Sequence, residues 1–377
     1  MSVFFVDHAR ELGGAEHSLL LLLQSLDRKR FQPHLVCGGD PLARRAAGLD
    51  IPVHTVALPR LRRSLSWTRD WMSGARALAA HARAADARLF VANTVRAAFY
   101  TALAARLAGL PFVWHMRDFW LSEERPRLLW ADRLGKAILS AAACCVIANS
   151  HSTAAHLPCS HKVAVIYNGI DTARYAPQTD GQPFRQRYAI PSVAPLIGVV
   201  GRLRPWKGQV RFLRMAATVA GMRSDAWFTV VGGTILDADS GYAQELQRTA
   251  LELGLAERVV FTGQLADVRP ALAAMDVFVH PGDAEPFGLV TVEAMAMGKP
   301  VIAFSHGALP EIVEEGVSGL LAPPGDEEAL AQAVLALLSD ERRRAAMGRA
   351  GRARVERAFT AERMAAEVAT VLAACLT

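Results

Sequence analysis

The sequence predicts an α/β protein of two open, doubly wound domains, and three observations carry that prediction. Its 377 residues exceed one ordinary domain at roughly 100–200 residues each. Short apolar runs alternate with longer amphipathic stretches from end to end, the pattern of parallel strands crossed over by helices. Between residues 167 and 195 that alternation stops at Asn168-Gly169, Asp180-Gly181 and four prolines, which places a linker there. The resulting domains are 1–175 and 190–357.

In the first domain, Val3 to Val6, His34 to Cys37, Leu89 to Ala92, Pro111 to Trp114, Cys144 to Ala148 and Val163 to Ile166 read as strands. Ala15 to Leu26, Arg96 to Ala108 and Pro126 to Ala142 read as the helices between them. The second alternation has strands near Leu196 to Val200, Trp227 to Val231, Val259 to Phe261, Val277 to His280 and Val301 to Ala303. The last stretch, Asp340 to Leu376, reads as helical, and its end, about 358–377, is a candidate to pack back on the first domain. With no internal repeat, a cleft between the two domains is the expected ligand site.

Composition narrows the class. A chain 52% hydrophobic and 21% charged is neither disordered nor a coiled-coil rod. Its five cysteines, Cys37, Cys144, Cys145, Cys159 and Cys375, form no CxxC pair, which argues against a disulfide framework or a structural zinc site and fits a reducing cytoplasm. The N-terminal run turns acidic at Asp7 before a signal region forms. Leu19 to Leu23 and Ala137 to Ala148 fall short of the ~20 residues of a membrane span. The expectation is a cytoplasmic protein, at most peripheral on a membrane.

The net charge of +6 is uneven. Residues 1–180 hold 22 Lys and Arg against 14 Asp and Glu, or +8, whereas residues 181–377 hold 20 against 22, or −2. Arg60, Arg62, Arg63, Arg69, Arg76, Arg83, Arg88 and Arg96 cluster with Trp67 and Trp71. Such a cluster is either a solvated face or an anionic membrane surface. Nucleic acid is not an expected partner, because no recognition-helix, RRM or OB pattern accompanies it.

Three glycine-bearing segments sit where chemistry belongs in such a fold. Gly13-Gly14-Ala15-Glu16 follows the first strand and opens a helix, but it has neither the dinucleotide nor the phosphate-loop spacing. Gly201-Arg202-Leu203-Arg204-Pro205-Trp206-Lys207-Gly208 puts two cations, Arg202 and Lys207, on a short loop after a strand, which suits a diphosphate. Glu285-Pro286-Phe287-Gly288-Leu289-Val290-Thr291-Val292-Glu293 places Pro286 at a helix opening. Free amides at Gly288, Leu289 and Val290 follow, with a carboxylate on each side of that anion site.

These residues resemble the retaining GT-B glycosyltransferases of family 4. The matching elements are Gly13-Gly14, Asn149-Ser150, Asn168-Gly169-Ile170-Asp171, Gly201-Arg202-x4-Lys207-Gly208, Glu285-x7-Glu293 and Pro310-Glu311-Ile312-Val313. The resemblance implies two Rossmann-like domains facing across a cleft. It implies that Arg202 and Lys207 neutralise a nucleotide-sugar diphosphate, helped by the amides of Gly288, Leu289 and Val290. By the same resemblance Glu293 holds the ribose, Glu285 a sugar hydroxyl, Leu265 the base, and Gly14 and Phe287 complete the donor contacts. His115, expected just after a strand in Trp114-His-Met-Arg-Asp118, reaches the transferred sugar.

The implied catalytic set is thus Glu285, His115, Lys207 and Arg202. No metal or cofactor is expected, and Asp237-Ala-Asp239 reads as a solvated turn. Gly307-Ala308 stands where the family often has Gly-Gly, which bears on the shape of the sugar pocket. The implied partners are a UDP- or GDP-linked sugar and a glycan or lipid-linked acceptor. The rival readings are an epimerase or phosphorylase on the same plan, a non-catalytic sugar-nucleotide binder, and a nicotinamide dehydrogenase. The last lacks its glycine fingerprint.

Overall fold

The computed structural model describes residues 1–9, 12–59, 67–121, 125–158, 161–234 and 240–376. Arg60, Arg62 and Arg63 of the basic cluster, Cys159 and the Asp237-to-Asp239 turn lie outside the described residues. Two compact units are present, one of residues 1–169 with 360–377 and one of residues 170–359.

The first unit begins β1 (Ser2–Val6), α1 (Gly14–Ser25), β2 (Gln32–Cys37), α2 (Asp40–Ala47), β3 (Val53–Thr55), α3 (Trp67–Ala84) and β4 (Ala87–Ala92). It continues α4 (Val95–Ala108), β5 (Phe112–Met116), α5 (Leu129–Ala142), β6 (Cys145–Ala148), α6 (His151–Ala154) and β7 (Val163–Val165). The seven strands form one parallel sheet in the order β3-β2-β1-β4-β5-β6-β7. Both faces of β1 are covered, because Val3, Phe4, Phe5 and Val6 are all fully buried. A parallel strand flanked by helices has no wet face, and the unbroken apolar run is the sequence form of that burial.

The second unit holds α7 (Gln182–Arg187), β8 (Leu196–Val200), a 3-10 turn (Pro205–Lys207), α8 (Gln209–Met222), β9 (Trp227–Val231), α9 (Ser240–Glu252) and β10 (Val259–Gly263). After these come α10 (Arg269–Ala274), β11 (Val277–His280), α11 (Leu289–Ala296), β12 (Val301–Phe304), α12 (Leu309–Ile312), β13 (Gly319–Ala322), α13 (Glu327–Ser339) and α14 (Glu341–Ala358). Its parallel sheet runs β10-β9-β8-β11-β12-β13. In each sheet the strand order reverses beside the first strand, between β1 and β4 and between β8 and β11. Loops leaving the carboxyl ends of strands diverge at such a reversal and open a ligand crevice there.

Three details correct or refine the sequence expectation. Residues 170–195, expected as linker, are built into the second unit. There the buried Arg185 donates to the carbonyls of Pro191 (2.9 Å), Ala194 (2.8 Å) and Ala274 (2.8 Å). The C-terminal stretch is helical as expected, in two helices. It breaks after α14, and α15 (Ala361–Ala374) starts anew with the Thr360 hydroxyl accepting from the Arg363 amide at 3.2 Å. Finally, α5 starts at Leu129 rather than Pro126. The new helix α15 belongs to the first unit, where Met364, Val368 and Leu372 share a core with Leu19, Leu22 and Phe31.

Candidate functional site

In the second unit the loops after β8 and β11 are locked together by one glycine. Gly208 has φ +75°, a left-handed conformation, and a Cβ there would lie 2.1 Å from the Pro281 carbonyl oxygen. Only a residue without a side chain permits that approach. The contact sets the 3-10 turn over the β11 loop, where the Asp283 amide donates to the Trp206 carbonyl at 2.7 Å. Lys207 then pairs with Glu285 through Nζ and Oε1, and its Nζ also lies 4.4 Å from the centre of the Trp206 ring.

Glu285 is held from two further sides. His280, the last residue of β11, donates from Nε2 to Oε1 at 3.0 Å. Gly307, at φ +59°, brings the loop after β12 so close that a Cβ would sit 2.6 Å from both the amide nitrogen and the carbonyl oxygen of Glu285. The Ala308 amide donates to that carbonyl at 3.0 Å. The departure from Gly-Gly is therefore absorbed: only Gly307 is left-handed, while Ala308 has φ −84° and fits as alanine. Burial opposes ionisation of Glu285, but the Lys207 ammonium and the His280 hydrogen bond outweigh it. Together they hold the carboxyl well below the usual carboxylate range.

The helix α11 opens at Leu289, with Gly288 as its N-cap, so Pro286 lies ahead of the helix rather than at its opening. The amides of Leu289 and Val290 belong to the first turn, which has no preceding helical carbonyl to bond, and the helix dipole points its positive end there. Arg202 is exposed on the β8 loop. Glu293, on α11, hydrogen-bonds Tyr175, and burial pushes its carboxyl up to about 7 against the pull of Tyr175 and Arg174. Leu265 is half-buried in the loop after β10, three strands from β11, or roughly 14 Å at ~4.8 Å per strand. Phe287 is 2% exposed and packs edge-on to Phe359 at 5.9 Å, so its ring helps to hold the loop that carries Glu285.

In the first unit the structure differs more from expectation. Gly14 is exposed at the start of α1, where the Gly13 amide is taken by Glu16 Oε2 at 2.7 Å. His115 is not in the loop after β5 but within the strand, 1% exposed. Burial, and then the Arg117 charge, hold it well below its usual value, so the ring is neutral. Its Nδ1 lies 3.3 Å from Arg117 Nη2, a donor, which assigns the proton to Nε2. That Nε2 is buried without a hydrogen-bond partner among the described residues.

His115 stands beside a polar network that motif reading missed. Arg117, 6% exposed, donates from Nε to Asn93 Oδ1 at 2.7 Å, from Nη1 to Ser18 Oγ at 2.8 Å and to Asn168 Oδ1. Asn93 in turn donates to Asp7 Oδ2 at 2.7 Å. Burial raises Asp7, burial and Asp7 together push Glu16 up to about 7, and burial lowers Arg117 to about 10. Asp7, Asn93 and Arg117 each follow the apolar run of β1, β4 or β5, at or beside the strand-order reversal. A polar residue ending an apolar strand was the available signal.

Other motif residues are structural. Ser150 caps α6 by accepting from the Thr153 amide at 2.9 Å, and Asn149 donates to the Arg117 carbonyl at 3.3 Å. In the basic cluster, Trp67 and Trp71 stack at 6.1 Å, Trp71 bonds the Phe99 carbonyl at 2.9 Å, and Arg83 bonds the Leu107 carbonyl. Among the described residues no three His, Cys, Asp or Glu side chains are grouped to hold a metal ion. No helix among them is long and apolar enough to cross a membrane.

Two family models match the chain in tandem: "Glycosyltransferase Family 4" over residues 12–174 and "Glycosyl transferases group 1" over residues 180–354. The chain belongs to the family 4 glycosyltransferases. Within that family it is 34% identical over 228 residues to the lipopolysaccharide core biosynthesis mannosyltransferase LpsB of Rhizobium meliloti, covering 60% of this chain and 64% of the relative. It is 40% identical over 194 residues to a GDP-mannose-dependent alpha-(1-6)-phosphatidylinositol monomannoside mannosyltransferase of Mycolicibacterium smegmatis, covering 49% of each. The chain thus spans about half to two thirds of the length of these curated relatives.

Among solved structures, Anabaena Alr3699/HepE in complex with UDP matches with a TM-score of 0.85 and 28% identity, covering 99% of this chain and 100% of that one. A structure of the same protein with UDP-glucose matches at TM-score 0.84. The sucrose-phosphate synthase of Thermosynechococcus elongatus, 21% identical at TM-score 0.82, shares the fold. Both Rossmann-like sheets are those of the GT-B glycosyltransferases.

Proposed function

We propose that this chain transfers a hexosyl group, with retention, from a nucleotide-diphosphate hexose to a hydroxyl of a glycan or lipid-linked acceptor. The observation that carries the reading is the Lys207–Glu285 pair at the carboxyl ends of β8 and β11, beside the first turn of α11. A buried carboxylate kept ionised accepts hydrogen bonds from sugar hydroxyls. Lys207, Arg202 and the α11 amides offer positive charge to a diphosphate, where charge grows as it leaves. Glu293 suits a ribose diol, and the reach to Leu265 matches a base at the far edge of the sheet.

In the proposed reaction the bond from the anomeric carbon to the diphosphate oxygen breaks, and the bond to the acceptor oxygen forms on the same face. The acceptor proton passes to the departing diphosphate oxygen, so no dedicated base is required. Covalent attack by Glu285 is disfavoured because the Lys207 ammonium and the His280 hydrogen bond stabilise its negative charge and so weaken it as a nucleophile. The neutral His115, with its proton on Nε2, is proposed as a hydrogen-bond donor toward the transferred sugar. Cationic side chains take the place of a metal in this scheme.

HepE has been solved with UDP-glucose, and the mycobacterial relative is named for GDP-mannose, so both donors are candidates. Both curated relatives are named for lipid-anchored glycans, which supports a lipid-linked acceptor; an anionic membrane surface as its setting rests on the basic excess of residues 1–180. A thermal-shift and hydrolysis panel of UDP-glucose, UDP-N-acetylglucosamine and GDP-mannose tests the donor. Absence of any shift or turnover overturns the reading, and an inverted anomeric product overturns retention.

A further inference from the structure

Helix α5 is built inside out. An amphipathic surface helix ordinarily turns its apolar stripe to the core and its charges to water. Here Asp132, Lys136 and Ser140 face inward and are buried, while Trp130 (66% exposed), Leu134 (54%) and Ile138 (57%) face outward. Their four-residue spacing keeps the three on one face, drifting only about 40° per step at ~3.6 residues per turn. Ala137 and Ala141, on the same helix, are also exposed.

The orientation is fixed from within. Lys136 Nζ pairs with Asp132 Oδ2 at 2.7 Å, donates to the Phe119 carbonyl at 2.6 Å and lies 4.9 Å from the centre of the Trp120 ring. The other carboxylate oxygen of Asp132 accepts from the Leu121 amide at 2.8 Å. Rolling the helix to hide its apolar face would break this buried pair and expose the loop it holds. The outward stripe is therefore a stable feature, and contiguous apolar surface of this kind marks an interaction site.

Charge selects the occupant. Arg125, Arg127 and Arg133 are exposed around the stripe, and none has an ion-pair partner among the described residues. The single acid on α5, Asp132, is buried. A second copy docked by two-fold symmetry would set these arginines against their own images. An anionic bilayer meets them favourably while its acyl boundary takes Trp130, Leu134 and Ile138. We infer that the outer face of α5 docks the chain on an anionic lipid surface. The inference deepens the lipid-linked acceptor reading above by naming the face that approaches the membrane.

Flotation of the full chain with vesicles tests it without donor or acceptor, so its failure leaves the donor reading standing. The unaltered chain is expected to float with phosphatidylethanolamine/phosphatidylglycerol vesicles far better than with phosphatidylcholine vesicles. The triple substitution Trp130→Ser, Leu134→Ser, Ile138→Ser is expected to reduce the bound fraction constant about tenfold or more. Arg127→Glu with Arg133→Glu is expected to abolish the preference for anionic vesicles while the melting temperature stays unchanged. Equal flotation of the triple variant and the unaltered chain overturns the inference, as does failure of the unaltered chain to bind anionic vesicles. A light-scattering dimer that the triple variant dissolves, with flotation unaffected, assigns the face to self-association instead.

Discussion

Lys207 and Glu285, 78 residues apart in sequence, meet because Gly208 lies against the backbone of Pro281. The pair is thus a property of two loops at the strand-order reversal, and it depends on a position that carries no side chain. Replacing Gly208 with Ala forces a Cβ into the Pro281 carbonyl and a left-handed φ on alanine. A loss of ~1–3 kcal/mol in urea denaturation is expected, with transfer reduced as strongly as in Lys207→Ala. For Lys207→Ala itself the expected drop in kcat is about 10²–10³, with the fold retained. Full activity in either variant separates the pair from catalysis.

Much of the pH response should come from Glu16 and Glu293, whose carboxyls are both raised to about 7 from an ordinary 4.5, with Asp7, also raised by burial, acting in the same direction. A raised acid binds its proton more tightly in the folded chain. Its contribution to stability is complete below about pH 4.5 and is lost as pH climbs through about 7. Melting temperature should therefore fall across that window, and Glu293→Gln and Glu16→Gln should each flatten the decline. Donor binding should run oppositely, since a ribose diol needs the ionised Glu293. KM for the donor is expected to decrease as pH passes 7, and Glu293→Gln should remove that dependence. A KM profile identical in both proteins detaches Glu293 from the donor.

The buried network of the first unit should be costly to open. Arg117→Met leaves Asp7 and Glu16 facing each other without a counter-charge and strips donors from Asn93, Ser18 and Asn168. Breaking one partner of such a buried group typically costs ~3–5 kcal/mol. Lysine offers one nitrogen where arginine here uses three, so Arg117→Lys is expected to recover little of this. Combining Arg117→Met with Asp7→Asn and Glu16→Gln should recover more, because the orphaned charges go with it. Additive losses in urea midpoints would mean the groups act independently.

How much of this was legible in the sequence follows from where each signal is stored. Strands such as Val3–Val6 and Val277–His280 are buried on both faces and spell their burial as apolar runs. The edge strand Val53–Thr55 has three residues, none fully buried, and leaves no such run. Gly319–Ala322 was likewise missed, being short and half-buried in its centre. The apolar run that marks β5 in the sequence ends at Trp114, before the polar His115, whereas Arg117 beyond it supplies the hydrogen bond that lets a neutral histidine be buried. Glu285 and Lys207 were legible because their loops carry local glycine and proline signals. Asp7, Glu16, Asn93, Arg117 and Asn168 are scattered over 160 residues, and only the sheet brings them together.

The last helix offers a test of how the first unit is completed. Leu372, on α15, is fully buried in the core shared with Leu19, Leu22 and Phe31, although α14 immediately before it belongs to the other unit. Leu372→Ala should cost ~2–4 kcal/mol from lost burial and the cavity left behind. Thr360→Ala, which removes the cap, should cost about 1 kcal/mol. Arg363 and Glu367 form a surface pair on the same helix, 54% and 37% exposed at their side chains. Exposed pairs contribute at most ~1 kcal/mol, so Glu367→Ala should leave the urea midpoint almost unmoved. Because α15 supplies part of that core, residues 1–169 expressed alone should bind a hydrophobic dye and sediment with the insoluble fraction. Adding residues 360–377 through a flexible linker should restore a cooperative unfolding transition. A soluble, cooperatively folding 1–169 fragment would show that the sheet and its own helices suffice.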